Sequence, residues 1–223
     1  MLARSPTALG IRALPVVTMQ QSIAIESGIA IRRGEGINRF FEIGGGPMNE
    51  FKLRLSHYDG RWKQEFEQMR SCIFDAAQGW VTAVEHVGST AFPTSIARPN
   101  IDLVAGIVAD GNFEETSQFI EGLNFQRLPN PKWIGNSKTL LFLKDGHKAL
   151  SYQVILTEWK GPIWYRLLRM KMWFERRPHD LKRLVQAKLH LLESQADIGE
   201  YERGKAIFFS ALEDQIEAAE EKQ

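Results

Sequence analysis

The chain has 223 residues, of which 43% are hydrophobic and 25% are charged, and its formal net charge is +1. These values are typical of an ordinary globular protein, so they exclude a largely disordered chain and leave room for one good-sized domain. A net charge this small also removes the simplest argument for a nucleic-acid-binding protein, which is a strong overall basic excess.

Cysteine content and hydropathy limit the compartment. Cys72 is the single cysteine, so no intrachain disulfide can form, and the sequence predicts a cytoplasmic protein. Charged residues interrupt every apolar run before it reaches the roughly 20 residues that a membrane-spanning helix needs. We therefore expect a soluble protein that has no membrane partner.

Residues 1–47 differ in composition from the rest of the chain. No acidic residue precedes Glu26, and a Gly-Gly-Gly-Pro run ends the segment. Three explanations stay open: a poorly ordered extension, a start codon placed too far upstream, or an organelle transit peptide, which is typically poor in acidic residues. Regular patterning begins at Met48, so we expect residues 48–223 to form the folded domain.

The first predicted element is a helix that begins near Asp59. Its apolar residues recur at steps of four, three and four, which is the pattern of a surface helix facing a core. They are Trp62, Phe66, Met69 and Ile73. Cys72 lies beside this stripe, and we expect a buried, unreactive thiol there. Gly79 is expected to end the helix.

Four strands are predicted next, because short runs rich in Val, Ile, Leu and Phe are bounded by turn-forming residues. They cover residues 80–87, 100–108, 139–145 and 150–156. The last two are close enough in sequence to form a hairpin through residues 146–149.

Helices are predicted between the second and third strands and throughout the C-terminal third. Asn112 with Glu115 three residues later resembles a capping box, which marks the start of a helix. Pro162 and Pro178 suit the first turns of two further helices, and another is predicted from Ile198. The sequence therefore predicts an α+β fold, in which a mixed sheet with flanking helices precedes a helical C-terminal third.

Gly88, Ser89 and Thr90 follow the first of the predicted long strands. A Gly-Ser turn leaving a strand can expose backbone N–H groups to a phosphate, and the hydroxyl adds a donor. Such turns are also common as plain joints of a fold, and the residues alone favour that interpretation.

Asp102 lies in the second strand among apolar neighbours, where an unpaired carboxylate is costly to desolvate. It is either a Mg²⁺ ligand near the edge of the strand or one half of a salt bridge. Arg98, four residues earlier, is an available partner for such a bridge. Both interpretations stay open at this point.

The turn and the aspartate together are more specific than either alone. The segment EHVGST at 85–90, followed by Pro99 and by Ile-Asp-Leu at 101–103, resembles the GrpB family of the nucleotidyltransferase superfamily. The resemblance covers about residues 50–212. Further matching residues are Tyr58, Asp59, Trp62, Phe66, Glu67, Trp164, Leu168, Pro178, Lys188, Tyr201, Lys205 and Phe208.

This resemblance implies a nucleotidyltransferase-like sheet whose Gly-Ser turn holds the phosphates of a nucleotide. It also implies metal-assisted nucleotidyl or phosphoryl transfer, in which an Asp-x-Asp pair holds Mg²⁺. On this chain it assigns phosphate binding to Gly88, Ser89 and Thr90, with Arg98 in place of a family lysine. Asp102 is assigned as the sole metal ligand and catalytic residue.

The chain departs from the family pattern at several positions. Val104 stands where the second aspartate is expected. Ser151 and Gln153 replace paired histidines, and Lys171-Met172 replaces an Arg-Asp dipeptide. Mg²⁺ needs only one or two protein carboxylates besides substrate phosphates, so weak binding at Asp102 is still expected. Efficient transfer is not expected. We predict a nucleotide-binding fold whose transfer activity is weak or lost.

An alternative function follows from a charge split in the C-terminal third. Residues 160–190 include nine Lys and Arg residues and two acidic residues. Residues 193–221 include two Lys and Arg residues and nine acidic residues. Either the neighbouring helices pair these faces, or the basic residues flank a phosphate-bearing ligand or bind an RNA or protein partner. The basic residues concerned are Arg166, Arg169, Lys171, Arg176 and Arg177.

Overall fold

A computed structural model describes residues 55–108, 110–130, 132–135, 137–146, 150–194 and 198–221. The expectations for residues 1–47, and for the hairpin loop at 147–149, lie outside this part of the chain. Among the residues that are described, none of the helices combines the length and the apolar character needed to cross a membrane.

The chain alternates helices and strands before it ends in three consecutive helices. In order, the elements are β1 (Ser56–His57), α1 (Arg61–Ala76), β2 (Val81–Val87), a 3-10 turn (Ser89–Ala91), β3 (Ile96–Ala97), β4 (Asn100–Ile107), α2 (Phe113–Gly122), β5 (Gln126–Leu128), a second 3-10 turn (Lys132–Ile134), β6 (Thr139–Asp145), β7 (Ser151–Glu158), α3 (Pro162–Arg176), α4 (Pro178–Glu193) and α5 (Ile198–Glu220). The predicted α+β fold is confirmed.

The main sheet has five strands in the order β2-β4-β7-β6-β5, and β1 pairs with β3 in a separate two-stranded ribbon. Strands β4 and β7 run parallel, whereas the other neighbours in the main sheet are antiparallel. Val87 lies opposite Asp102, which in turn lies opposite Gln153. Because directly paired residues point to the same face of a sheet, these three side chains form a row across it.

One face of the sheet packs against α1 and α2. The predicted stripe of α1 is confirmed, since all four of its residues are buried: Trp62, Phe66, Met69 and Ile73. The prediction of a buried thiol at Cys72 is wrong, because that side chain is exposed. Neighbouring residues on a helix point about 100° apart, which turns Cys72 away from the core that Ile73 enters.

The other face packs against α3, and the C-terminal helices then extend beyond it. Val104 and Ile155 of the sheet contact Trp164 and Leu167 of α3 in one apolar cluster. A second cluster joins α3, α4, α5 and the segment after the first 3-10 turn. It contains Phe92, Met170, Phe174, Leu181, Leu184, Leu212 and Ile216. These helices therefore cover the end of the sheet at which β4 and β7 begin.

Part of the charge split in the C-terminal third is an internal pairing between helices. The Arg166 guanidinium lies 2.6 Å from the Glu213 carboxylate of α5, and Arg169 also pairs with carboxylates of that helix. Lys171 instead lies 2.9 Å from Glu85 of β2. The interpretation of mutually compensating helices is confirmed at the two arginines, which gives the RNA-binding or protein-binding alternative no support there.

Candidate functional site

The turn after β2 depends on the backbone of Gly88. Its φ is 72°, in the left-handed region that residues with a side chain rarely adopt. The following 3-10 turn buries Ser89 and Thr90. The Thr90 hydroxyl donates to the carbonyl of Asn100 at 2.8 Å, and His86 Nε2 lies 3.1 Å from Thr90 Oγ1. Thr90 thus fixes the turn to the start of β4.

Two lysines from the C-terminal helices lie at this turn. Lys188 of α4 is 1% exposed, and its Nζ donates to Ser89 Oγ at 2.6 Å and to the carbonyl of Ile96 at 2.8 Å. Lys205 of α5 is 5% exposed, with its Nζ 5.3 Å from the centre of the Tyr201 ring. A buried ammonium group is costly unless it is paired and hydrogen-bonded. The two lysines therefore place two costly positive charges beside the Gly-Ser turn.

A small polar pocket opens between the turn, the start of β4 and helices α4 and α5. Its polar lining includes Ser89, Thr90, Arg98, Asp102, Lys188 and Lys205. Four of the five residues predicted for the site therefore meet in one pocket, and the fifth, Gly88, lines the chamber beside it. The charged lining residues named here are three cations and one carboxylate, which favours an anionic ligand.

Asp102 is 3% exposed and is oriented by its neighbours. The side-chain amide of Asn100 donates to Asp102 Oδ1, and Ser151 Oγ donates to Asn100 Oδ1 at 2.7 Å. Ser151, at one of the positions where the family pattern has histidine, thus supports Asp102 through Asn100. The carboxylate lies at the junction of the polar pocket and the neighbouring chamber.

An apolar chamber adjoins the polar pocket, and Ser89, Asp102 and Lys205 line both. Its apolar walls include Phe92, Leu167, Met170, Phe174, Leu184 and Phe209. Gln153 and Lys171 are polar groups in the same walls. The two spaces together present a positively charged end and an apolar end.

The donor set fits Mg²⁺ poorly. Mg²⁺ prefers oxygen ligands in a near-octahedral arrangement, and the lining of both spaces contains one carboxylate, that of Asp102. Lys188 and Lys205 would place like charge beside a bound cation. In the described part of the chain, no group of three His, Cys, Asp or Glu side chains is arranged to hold a metal ion. Mg²⁺ binding at Asp102 stays a prediction, and the lysines are the positive charge at hand for a phosphate.

Lys188 and Lys205 match the family pattern, but the sequence motifs do not place them in the site. A signal was present, because each lysine interrupts an apolar helical stripe. Lys188 follows Leu181 and Leu184 at steps of three and four, and Lys205 follows Tyr201 at a step of four. A lysine on the core-facing side of a helix needs a buried partner, and this requirement points to a site.

Comparison with known proteins gives a family match and a match to a solved structure. The model of the family described as GrpB protein matches residues 52–215. The chain belongs to the GrpB family. A crystal structure of conserved protein GrpB from Enterococcus faecalis is similar to this GrpB-family fold with a TM-score of 0.62. The two chains are 17% identical, and the match covers 74% of this chain and 99% of that one.

Relatives of this GrpB-family chain are UPF0157 proteins. One from Deinococcus radiodurans is 27% identical over 83% of this chain and 93% of its own length. The protein YqkA of Bacillus subtilis is 25% identical over 73% of this chain, and a Streptomyces coelicolor protein is 43% identical over 33% of it. The matches cover 47% and 38% of those two relatives, so this chain spans less than half of each. The expected nucleotidyltransferase superfamily is consistent with this family.

Proposed function

We propose that the polar pocket and the apolar chamber together bind a nucleotide or a related phosphate-bearing small molecule. The observation that supports this most directly is the pair of buried lysines at the Gly-Ser turn. Lys188 donates a hydrogen bond to the Ser89 hydroxyl, and Lys205 lines both the polar pocket and the chamber. Phosphate oxygens at the lysines would leave the rest of the ligand in the chamber, where apolar and aromatic side chains bury it.

Nucleotidyl or phosphoryl transfer is weak or lost in this proposal. Transfer of this kind depends on metal ions that neutralise charge and align the attacking and leaving oxygens. The position that would supply a second carboxylate is Val104, which is fully buried against Trp164 and Leu167. Asp102 alone does not make the two-carboxylate arrangement.

Phosphate binding in this proposal is independent of Mg²⁺. Lys188, Lys205 and Arg98 supply positive charge from the protein itself. In metal-dependent sites that charge comes mainly from the ion, so chelating agents abolish binding. Here, binding measured in EDTA should equal binding measured in Mg²⁺, apart from the effect of Mg²⁺ on the charge of the free nucleotide.

The proposal is tested by Lys205→Met, with inorganic tripolyphosphate as the probe. We expect the variant to bind tripolyphosphate at least about tenfold more weakly, because a hydrogen bond to a charged group contributes about 1.5 to 3 kcal/mol. A ligand at about 100 times its dissociation constant stabilises the folded protein by about 2.7 kcal/mol, so thermal unfolding detects the loss.

The matched control is Arg203→Met, which removes the same charge from an exposed position of the same helix. It should bind tripolyphosphate as the parent protein does. Lys205→Arg, which keeps the charge, should retain part of the binding and guards against a folding defect in Lys205→Met. Equal losses in Lys205→Met and Arg203→Met would contradict the proposal, because only long-range charge would then matter.

A further inference from the structure

Gln153 has a buried hydrogen-bond donor that no described residue satisfies. The side chain is 3% exposed, and its Nε2 has no hydrogen-bond partner within the described ranges. An unmade hydrogen bond at a buried group costs about 1 to 3 kcal/mol, so such atoms are rare and need an explanation. Trp133 Nε1 has the same property but lines neither the polar pocket nor the chamber.

The position of Gln153 supplies the explanation. It lies on β7 directly beside Asp102 of β4, in the row of side chains that crosses the sheet. It also lines the apolar chamber, whose walls include the aromatic rings of Phe92, Phe174 and Phe209. An amide donor in an aromatic-walled space suits a planar group that has an acceptor on its edge.

The positive charge at one end of the site fixes which part of a ligand enters the chamber. Lys205 lies at the junction, whereas Lys188 lines only the polar pocket. A molecule whose phosphates contact these lysines would extend its other end past Asp102 toward Gln153. That other end has to be apolar enough for the chamber and has to offer one acceptor to the amide.

We propose that Gln153 recognises the base of a bound nucleotide by donating a hydrogen bond to a carbonyl oxygen or an unprotonated ring nitrogen of the heterocycle. This inference rests on the proposed function, because the phosphates position the base. It assigns Gln153 a role in choosing among ligands. A purely aliphatic group in the chamber would leave the amide unsatisfied and would bind more weakly.

The test compares the parent protein with Gln153→Leu, using ATP, GTP, CTP, UTP and inorganic tripolyphosphate as probes. In the parent, at least one nucleoside triphosphate should bind more tightly than tripolyphosphate. In Gln153→Leu that nucleotide should bind about tenfold more weakly, which is the effect of one neutral hydrogen bond. Tripolyphosphate, which has no base, should bind both proteins equally.

The free Gln153→Leu protein should be no less stable than the parent. An apolar side chain of similar size removes a buried donor that lacks a partner, so its thermal midpoint should stay equal or rise. Gln153→Met, which is unbranched like glutamine, should behave in the same way and covers the case in which leucine distorts the strand. Loss of ligand affinity without loss of stability is a result that a purely structural role would not give.

The matched control is Thr157→Val, a buried polar residue on the same strand and outside both the polar pocket and the chamber. The Thr157 hydroxyl lies 2.8 Å from Thr139 Oγ1, so its removal should lower the thermal midpoint. Nucleotide affinity should stay unchanged. This is the opposite of the pattern expected for Gln153→Leu.

Three results would overturn the inference, and they separate it from the proposed function. If tripolyphosphate binds but no nucleotide binds more tightly, or if Gln153→Leu and the parent bind every nucleotide equally, Gln153 does not recognise a base and phosphate binding stands. If neither tripolyphosphate nor any nucleotide binds the parent, the proposed function fails and the inference fails with it.

Discussion

His86 is held neutral at physiological pH by its surroundings. Burial, together with the positive charge of Lys171, lowers its pKa from 6.5 to about 4. The ring stacks on Phe66 with centroids 4.7 Å apart, and Nε2 lies 3.1 Å from Thr90 Oγ1. These contacts give His86 a structural role, because it supports the Gly-Ser turn through Thr90.

This pKa has a consequence for stability. Between pH 6.5 and about 4 the unfolded chain binds a proton at His86 that the folded protein does not, so the contribution is complete above pH 6.5 and is lost as pH falls through 4. The loss amounts to about 3 kcal/mol. In His86→Phe the free energy of unfolding should fall less steeply over this range, as measured by urea unfolding at several pH values.

The control for this experiment is His179→Gln, because the His179 side chain is 85% exposed. It should keep the parent's pH dependence. The same pH dependence in His86→Phe and in the parent would show that His86 is not held neutral by burial.

The residues that the sequence could assign to the site are those that lie close together along the chain. Gly88, Ser89 and Thr90 form one turn, and Asp102 follows soon after, so a local motif was sufficient. The hydrogen bond between Lys188 and Ser89, by contrast, joins residues that are 99 positions apart in the sequence. Only the packing of the C-terminal helices on the sheet brings them together.

At the scale of elements, patterns long enough to show a period predicted the structure well. Helix α2 begins with the expected cap, in which Asn112 Oδ1 accepts from the Glu115 backbone N–H at 3.1 Å. Strands β1, β3 and β5 were not predicted, because two or three residues are too few to show an alternation. Their pairing is set by tertiary contacts that no local pattern records.

Strand β4 allows a test of whether the lost carboxylate could be restored. In Val104→Asp the new side chain would replace a fully buried residue that packs against Trp164. We expect a loss of at least about 3 kcal/mol in the free energy of unfolding, because an unpaired carboxylate would be desolvated. We also expect no gain in Mg²⁺ binding, since the position lies beneath α3 rather than in the polar pocket.

Val104→Asn is the matched control for size and polarity without the charge, and it should be destabilised less than Val104→Asp. Urea unfolding and a Mg²⁺ titration measure both effects. A Val104→Asp protein of unchanged stability that binds Mg²⁺ would contradict this account of β4.

At the scale of the whole molecule, the site is completed by the C-terminal helices. The sheet supplies Asp102 and Gln153, whereas α4 and α5 supply Lys188 and Lys205. The ion pair between Arg166 of α3 and Glu213 of α5 stabilises the packing of these helices and neutralises the Arg166 charge within the fold. Overall composition could not show this, since charges that cancel within the fold look the same as charges that face solvent.

The central claim is tested most directly by calorimetric titration of the intact protein with the four nucleoside triphosphates, in EDTA and again in Mg²⁺. We expect at least one nucleotide to bind in EDTA, with an affinity that Mg²⁺ does not increase, because the lysines provide the positive charge. Binding that appears only when Mg²⁺ is present, or no binding of any nucleotide under either condition, would contradict the claim.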